Sequence, residues 1–238
     1  MSNPQNTEKK QTEQTSSAQK TSVGFPPPHM VKRCILLCIG MAIMALGVSF
    51  SIKSNLGTSP ISTLPYVLSV ITPMSVGTAT VLMNATLVLL EVLILRKNFQ
   101  PFQVLQIVVA FIFGYLIDFF SWVIQSLSYS TYWQQWIYCI IGILLVGLGV
   151  SLEVVSRVVT LAGEGFVLAV CQVTPIKFGN MKIIFDVSLV VISCIISLIF
   201  TGTLYGVREG TIAAALCVGA LSKQYQKPLL KLEKKYLM

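Results

Sequence analysis

The chain has 238 residues, of which 54% are hydrophobic and only 11% charged, a composition too apolar for one soluble domain with a wetted surface. Lys and Arg outnumber Asp and Glu by 17 to 9, leaving a net charge of +8, so the placement of charge should report orientation in a bilayer. Six acids, Glu91, Asp118, Glu153, Glu164, Asp186 and Glu209, fall inside or beside hydrophobic segments, which excludes a simple greasy anchor.

The single histidine, His29, precedes the first apolar run, so a His-built metal site or a Ser-His-Asp triad within the helices is excluded. The six cysteines lie in apolar runs without a CxxC pair and read as small buried hydrophobes rather than a disulfide or metal framework. No cofactor, no metal and no enzymatic activity are expected.

Residues 1–30 form a polar segment rich in Gln, Thr, Ser and Lys, which cannot bury enough apolar surface to fold, so a disordered tail is expected. Pro26, Pro27 and Pro28 stiffen its approach to the bilayer, and Lys32 and Arg33 mark the near face. Six apolar windows are long enough to span: Val31 to Ile52, Gly77 to Leu95, Val104 to Ile124, Gln135 to Val154, Gly179 to Phe200, and Gly210 to Leu221 extended back through Leu204. Two further stretches are apolar but awkward. Thr58 to Pro73 carries three prolines, and Val158 to Pro175 carries Gly163, Glu164 and Gly165 in its first half; lipid-exposed spans do not look like this.

Positive charges decide how these two are treated. If neither crosses, Lys32, Arg33, Arg96, Lys97, Arg157, Lys177, Lys182, Lys223 and Lys227 share one side and only Lys53 and Arg208 face the other, as the positive-inside bias demands. The expectation is an all-α polytopic membrane protein of about six transmembrane helices with both termini cytoplasmic. The awkward stretches become short broken or re-entrant helices, the first entering from outside and the second from inside. The expected organisation is a membrane repeat over residues 31–124, an outer loop over 125–134, a second repeat over 135–222 and a basic cytoplasmic tail over 223–238.

The two halves repeat at a spacing of about 102 residues. Leu46-Gly47-Val48-Ser49 matches Leu148-Gly149-Val150-Ser151, Thr72-Pro73 matches Thr174-Pro175, Gly77 matches Gly179, and Asn84 falls on Asp186. Three crossings per half, an odd number, give the halves opposite orientation, the inverted-repeat plan of many secondary transporters.

The string SNLGTSPISTLPYVLS with VGTATVLMNATLVLLE, and later EGFVLAV, FGNMKIIFDVSLVV and REGTIAAALCVGAL, resembles the YczE/YyaS/YitT group of bacterial integral membrane proteins over about Val31 to Leu221. The resemblance implies a bacterial membrane location and this repeat pattern, and supplies no substrate. One departure stands out: where the first half has Gly57-Thr58-Ser59-Pro60, the second has Ala162-Gly163-Glu164-Gly165, a carboxylate in place of the Ser-Pro element.

Several residues are candidate ligands. Gly57 supplies a turn, Pro60 suits a first helical turn, and Thr58 or Ser59 can accept from the following backbone N–H groups, so this terminus offers a positive dipole end and hydroxyls to a polar or anionic group. An ordinary interfacial helix start is the alternative. Glu164, flanked by glycines, can reach a cavity and balance a cation, a proton or an amine. Asp186 lies well inside its helix and needs a partner, and its repeat mate Asn84 is expected to form with it a central polar site. Glu91 near Arg96 and Lys97, Asp118 beside an aromatic belt, and Glu153 with Arg157 at i,i+4 have interfacial explanations. Arg208 and Glu209 are candidate gating charges at the outer mouth.

The leading expectation is a secondary transporter of a small solute in the bacterial cell membrane. The alternatives are a non-transport membrane accessory or assembly factor, and a six-span binding subunit served by a partner ATPase, since the chain has no GxxxxGK[ST] phosphate loop. A homo-oligomer stays open. The positive charge is explained by the lipid bilayer and implies no nucleic acid.

Overall fold

The computed structural model describes residues 30–96, 101–176 and 178–236; the tail expected over the first 29 residues, and Lys97 and Lys177 of the charge count, lie outside them. The described residues form eight α-helices: α1 (Met30–Ser54), α2 (Pro60–Ile71), α3 (Val76–Leu95), α4 (Leu105–Val123), α5 (Tyr132–Ser156), α6 (Ala162–Val173), α7 (Phe178–Thr201) and α8 (Glu209–Tyr236). Short 3-10 turns precede and follow α4.

Five helical segments, α1, α3, α4 with its trailing turn, α5 and α7, are long and apolar enough to cross a membrane. The sixth expected span differs. It does not extend back through Leu204, because residues 202–208 are turns and loop, and the helix runs instead from Glu209 on through the basic segment to Tyr236. Its first turn donates Gly210 N to Leu56 O at 2.8 Å. Its middle accepts at Ser222 O from Ser151 Oγ at 3.1 Å, and Glu233 near its end lies 2.9 Å from Arg33. The helix thus travels beside α5 from the end of the bundle marked by Lys53 to the end marked by Arg33, although only its first half is apolar.

The element starts Met30 and Tyr132, Pro60 and Ala162, and Val76 and Phe178 are each 102 positions apart. The packing follows the same shift. α1 lies antiparallel to α5, with α4 and α8 on its flank and that of α5, while α2 packs on α7 and α6 on α3.

The α1–α5 contact is set by four glycines. A Cβ on Gly40 would lie 3.2 Å from Gly149 O and one on Gly149 2.8 Å from Gly40 O; Gly47 and Gly142 stand in the same relation at 2.9 and 2.8 Å. Backbone meets backbone there, as small residues allow between membrane helices. The shift of 102 turns Gly40 into Gly142 and Gly47 into Gly149, so it exchanges one pair for the other.

α2 and α6 have 12 residues each, about 18 Å at 1.5 Å per residue, too short for a hydrocarbon core of about 30 Å. Their paths explain the length. Thr58 N donates to Gly206 O at 3.1 Å, and Tyr66, two turns into α2, lies against Gly206 as well. Between them Ile61 reaches Gly163 at the start of α6. The chain therefore descends from the Lys53 end, turns at Pro60, and climbs back as α2. Gly57 permits the entry, with a φ of 103° that side-chain-bearing residues resist and with no room for a Cβ against Thr211. On the other side Leu161 N donates to Glu153 Oε1 at 2.8 Å, and α6 returns to the Arg33 end, where α7 begins.

Candidate functional site

The N-termini of α2 and α6 meet inside the bundle, and each gathers polar side chains of its own kind. At α2 they are hydroxyls. Ser59 Oγ donates to Ser62 Oγ at 3.0 Å, and Ser193 Oγ of α7 donates to Thr63 Oγ1 at 3.1 Å. The expected side-chain cap is absent: Ser59 is the N-cap residue but makes no side-chain cap bond, because its hydroxyl turns to Ser62.

Above this terminus, toward the Lys53 end, lies an open cavity of about 280 Å³ lined by Asn55, Gly57, Thr58, Tyr66, Tyr205 and Arg208 among others. Here the structure brings together three residues singled out in the sequence. Gly57 and Thr58 form one wall, and Arg208 crosses to Asn55 O at 3.0 Å while resting 3.5 Å from Glu209. Arg208 thus clasps the entry to α2 to the loop before α8.

At α6 the groups are charged. Lys182 Nζ lies 2.9 Å from Asp186 Oδ1 on the same face of α7 and 5.6 Å from the Phe185 ring centroid. Glu164 is in electrostatic reach of Lys182 and Asp186, and Glu153 of Glu164 and Lys182. Three carboxylates therefore share one ammonium group. Glu153 also holds the N-terminus of α6, where a carboxylate is favoured by the helix dipole.

Asn84 is not part of this group. Its Nδ2 donates to Thr80 O in its own helix at 2.9 Å, and Asp186 takes Lys182 rather than Asn84 as its partner. The helices carrying them, α3 and α7, both pack on α2 and α6, and no hydrogen bond joins the two side chains among the described residues. The alignment of Glu164 with the Ser-Pro element shifts too: the N-cap residues are Ser59 and Leu161, which pairs Glu164 with Ser62, one turn into the helix.

Two of the three interfacial explanations fail, and the third, for Asp118, gains a specific pair of partners. Asp118 accepts from Ser75 Oγ at 2.6 Å and Gly77 N at 2.8 Å, tying the end of α4 to the start of α3. Glu153 serves α6 rather than Arg157, whose guanidinium lies 3.6 Å from Glu233. Glu91 does not snorkel: it is 0% exposed and faces Gly165 of α6 beside Gln106 of α4. Nothing in its spacing from Arg96 distinguishes these outcomes, since they depend on partners far along the chain.

Between the hydroxyl and carboxyl groups stands an apolar septum. Met83, Leu87, Ala162, Val167, Phe185 and Leu189 belong to one buried cluster, with Ile61 and Leu64 packed against it.

Helices of spanning length and apolarity, with two short helices folded back between them, define a polytopic α-helical membrane protein. The chain belongs to the family described as "Family of unknown function (DUF6198)", which it matches over residues 31–227. It is also similar to the "Uncharacterized protein YyaS" of Bacillus subtilis (strain 168), with 28% identity over 195 residues, 81% of this chain and 91% of that one, in keeping with the YyaS-like character of its motifs. No solved structure matches it.

Proposed function

We propose that the protein is a secondary transporter of a small polar or charged solute across the bacterial plasma membrane, with both termini in the cytoplasm and its two halves related as an inverted duplication. The observation that carries the proposal is the meeting of Ile61 and Gly163: two half-helices, entered from opposite ends of the bundle, abut at a thin apolar septum with polar groups on each side. Half-helix N-termini near the midplane are a recurrent way to hold a solute where two repeats meet. The Lys53 end, with few cations, is then the outer face, and the Arg33 end the cytoplasmic one.

In this arrangement the solute passes between the hydroxyls of Ser59, Ser62, Thr63 and Ser193 and the group formed by Glu153, Glu164, Lys182 and Asp186. Rocking of α2 against α6 opens the septum to one side at a time. A solute that binds both the hydroxyls and the charged group is one with a cationic or hydrogen-bond-donating part, because the charged group carries three acids against one lysine.

The test is a thermal-stability screen of purified protein against pools of small amines, amino acids and polyols, followed by uptake into liposomes. A stabilising solute that is taken up, with uptake impaired by Asp186→Asn and Glu164→Gln in folded protein, is the expected result. Silent substitutions with no uptake point instead to an accessory or assembly role.

A further inference from the structure

Glu91 presents an accounting problem that a single proton resolves. Its side chain is 0% exposed and Gln106 is 4% exposed, and among the described residues neither carboxylate oxygen of Glu91 nor Oε1 of Gln106 has a partner in hydrogen-bond geometry, the Gln106 amide being the polar group in reach. The two side chains meet over Gly165, where a Cβ would lie 2.6 Å from Glu91 Oε1, 2.7 Å from Gln106 Nε2 and 3.2 Å from Gln106 Oε1. Gly165 is thus a cradle that any side chain would fill.

We propose that Glu91 and Gln106 form an intramembrane proton-binding site. With the carboxyl protonated, its O–H donates to Gln106 Oε1 and Gln106 Nε2 donates to the carboxyl C=O. The two planar groups then close a reciprocal pair and the orphaned oxygens are satisfied. Without the proton, only acceptors face the amide oxygen, and a buried carboxylate stands against apolar walls at a cost of several kcal/mol. A hard cation fits less well, because such ions take about six or more oxygen ligands and the two side chains offer three.

Among the described residues no neighbouring charge takes the proton's place. The titratable groups on the helices packed against α3 are Asp118 and Tyr115 on α4, Glu164 and Cys171 on α6, and Tyr66 on α2, with Arg96 closing α3 itself. Asp118 is held by Ser75 and Gly77, Glu164 interacts with Lys182 and Asp186, and Tyr115 is exposed. The site rests on burial and geometry and not on transport, so its failure and that of the transporter proposal read separately.

Purified full-length protein and the Glu91→Gln variant are compared by thermal unfolding across a pH series. A proton held by the folded state and released by the unfolded chain makes stability fall as pH rises, while glutamine keeps the same shape and cannot titrate. The two midpoints are expected to agree near about pH 4, where a glutamate of the unfolded chain also keeps its proton, and wild type to fall progressively below the variant as pH rises, by at least roughly 3–5 °C at about pH 9. A gap that does not change with pH overturns the proposal, as does stabilisation of wild type by sodium chloride over potassium chloride that is lost in Glu91→Gln. Where the variant does not fold, wild type decides by reaction with a hydrophobic carbodiimide, which adds only to the protonated acid. An adduct on the peptide bearing Glu91 that diminishes at alkaline pH supports the site, and its absence at every pH contradicts it.

Discussion

Ile61 and Gly163, 102 residues apart in sequence, touch each other where α2 and α6 begin. The same shift turns the Ser193–Thr63 hydrogen bond into the approach of Glu91 to Gly165. One half thus meets its partner helix through hydroxyls and the other through a carboxyl.

At this contact a Cβ on Gly163 would crowd only Cδ1 of Ile61, the far end of a flexible side chain. Gly163→Ala is therefore expected to lower stability by no more than about 1 kcal/mol, a cost that disappears when Ile61→Ala is made in the same chain. Thermal unfolding of both singles and the double gives a coupling of at least about 0.5 kcal/mol if they meet; additive effects contradict the contact.

The α1–α5 crossing makes a paired claim. Gly47→Ala and Gly149→Ala, repeat mates at the crossing, should each cost about 1–3 kcal/mol, because the added methyl meets backbone that cannot yield. Gly219→Ala, with nothing within 4 Å of its Cβ, should be neutral or stabilising by up to about 1 kcal/mol, since alanine favours the helix. Melting temperatures that fail to separate these substitutions contradict the close crossing.

Asp118 ties α4 to α3 through Ser75 and Gly77. Asp118→Ala should cost about 1–2 kcal/mol, the range for loss of an N-terminal cap, and Asp118→Asn less, because its oxygen still accepts from Gly77 N. Equal losses in the two variants by thermal unfolding would mean that charge, and not the bond, is what matters.

Lys182 neutralises the acids around α6. Lys182→Met should destabilise by about 1–2 kcal/mol, leaving the half-buried Asp186 carboxylate without its partner, and Lys182→Met with Asp186→Leu should be closer to wild type than the single variant. A double variant worse than the sum removes the pair from the account.

Much of this architecture is legible in the sequence because it rests on local signals. Prolines and glycines cannot sit in a lipid-facing helix without compensation, so Thr58 to Pro73 and Val158 to Pro175 declare themselves as folded back, and the small residues Gly47 and Gly149, matched at a spacing of 102, already mark where α1 and α5 meet. The acids were harder. Asp118 and Ser75 are 43 residues apart, and Arg33 and Glu233 are joined only by the return of α8 along the bundle. Glu91, one turn from Arg96, looks interfacial until α6 and Gln106 are seen to cover it. Asn84 and Asp186 match in the repeat, yet a match places residues at related positions and not in contact. α8 escaped its expected bounds because Gly202 and Gly206 end one helix and delay the next, while the helix tolerates the lysines that follow Leu221.

The account turns on α2 and α6 folding back rather than crossing, and cysteine accessibility measures this most directly. In a cysteine-free background, Lys53→Cys and Met74→Cys flank α2, and Arg157→Cys precedes α6 while Gln172→Cys lies in its last turn. A membrane-impermeant maleimide is expected to label both members of the first pair from one face of the membrane and both members of the second from the opposite face. Labelling of Lys53→Cys and Met74→Cys from different faces would show that α2 crosses, and would contradict the fold-back arrangement on which the proposed site depends.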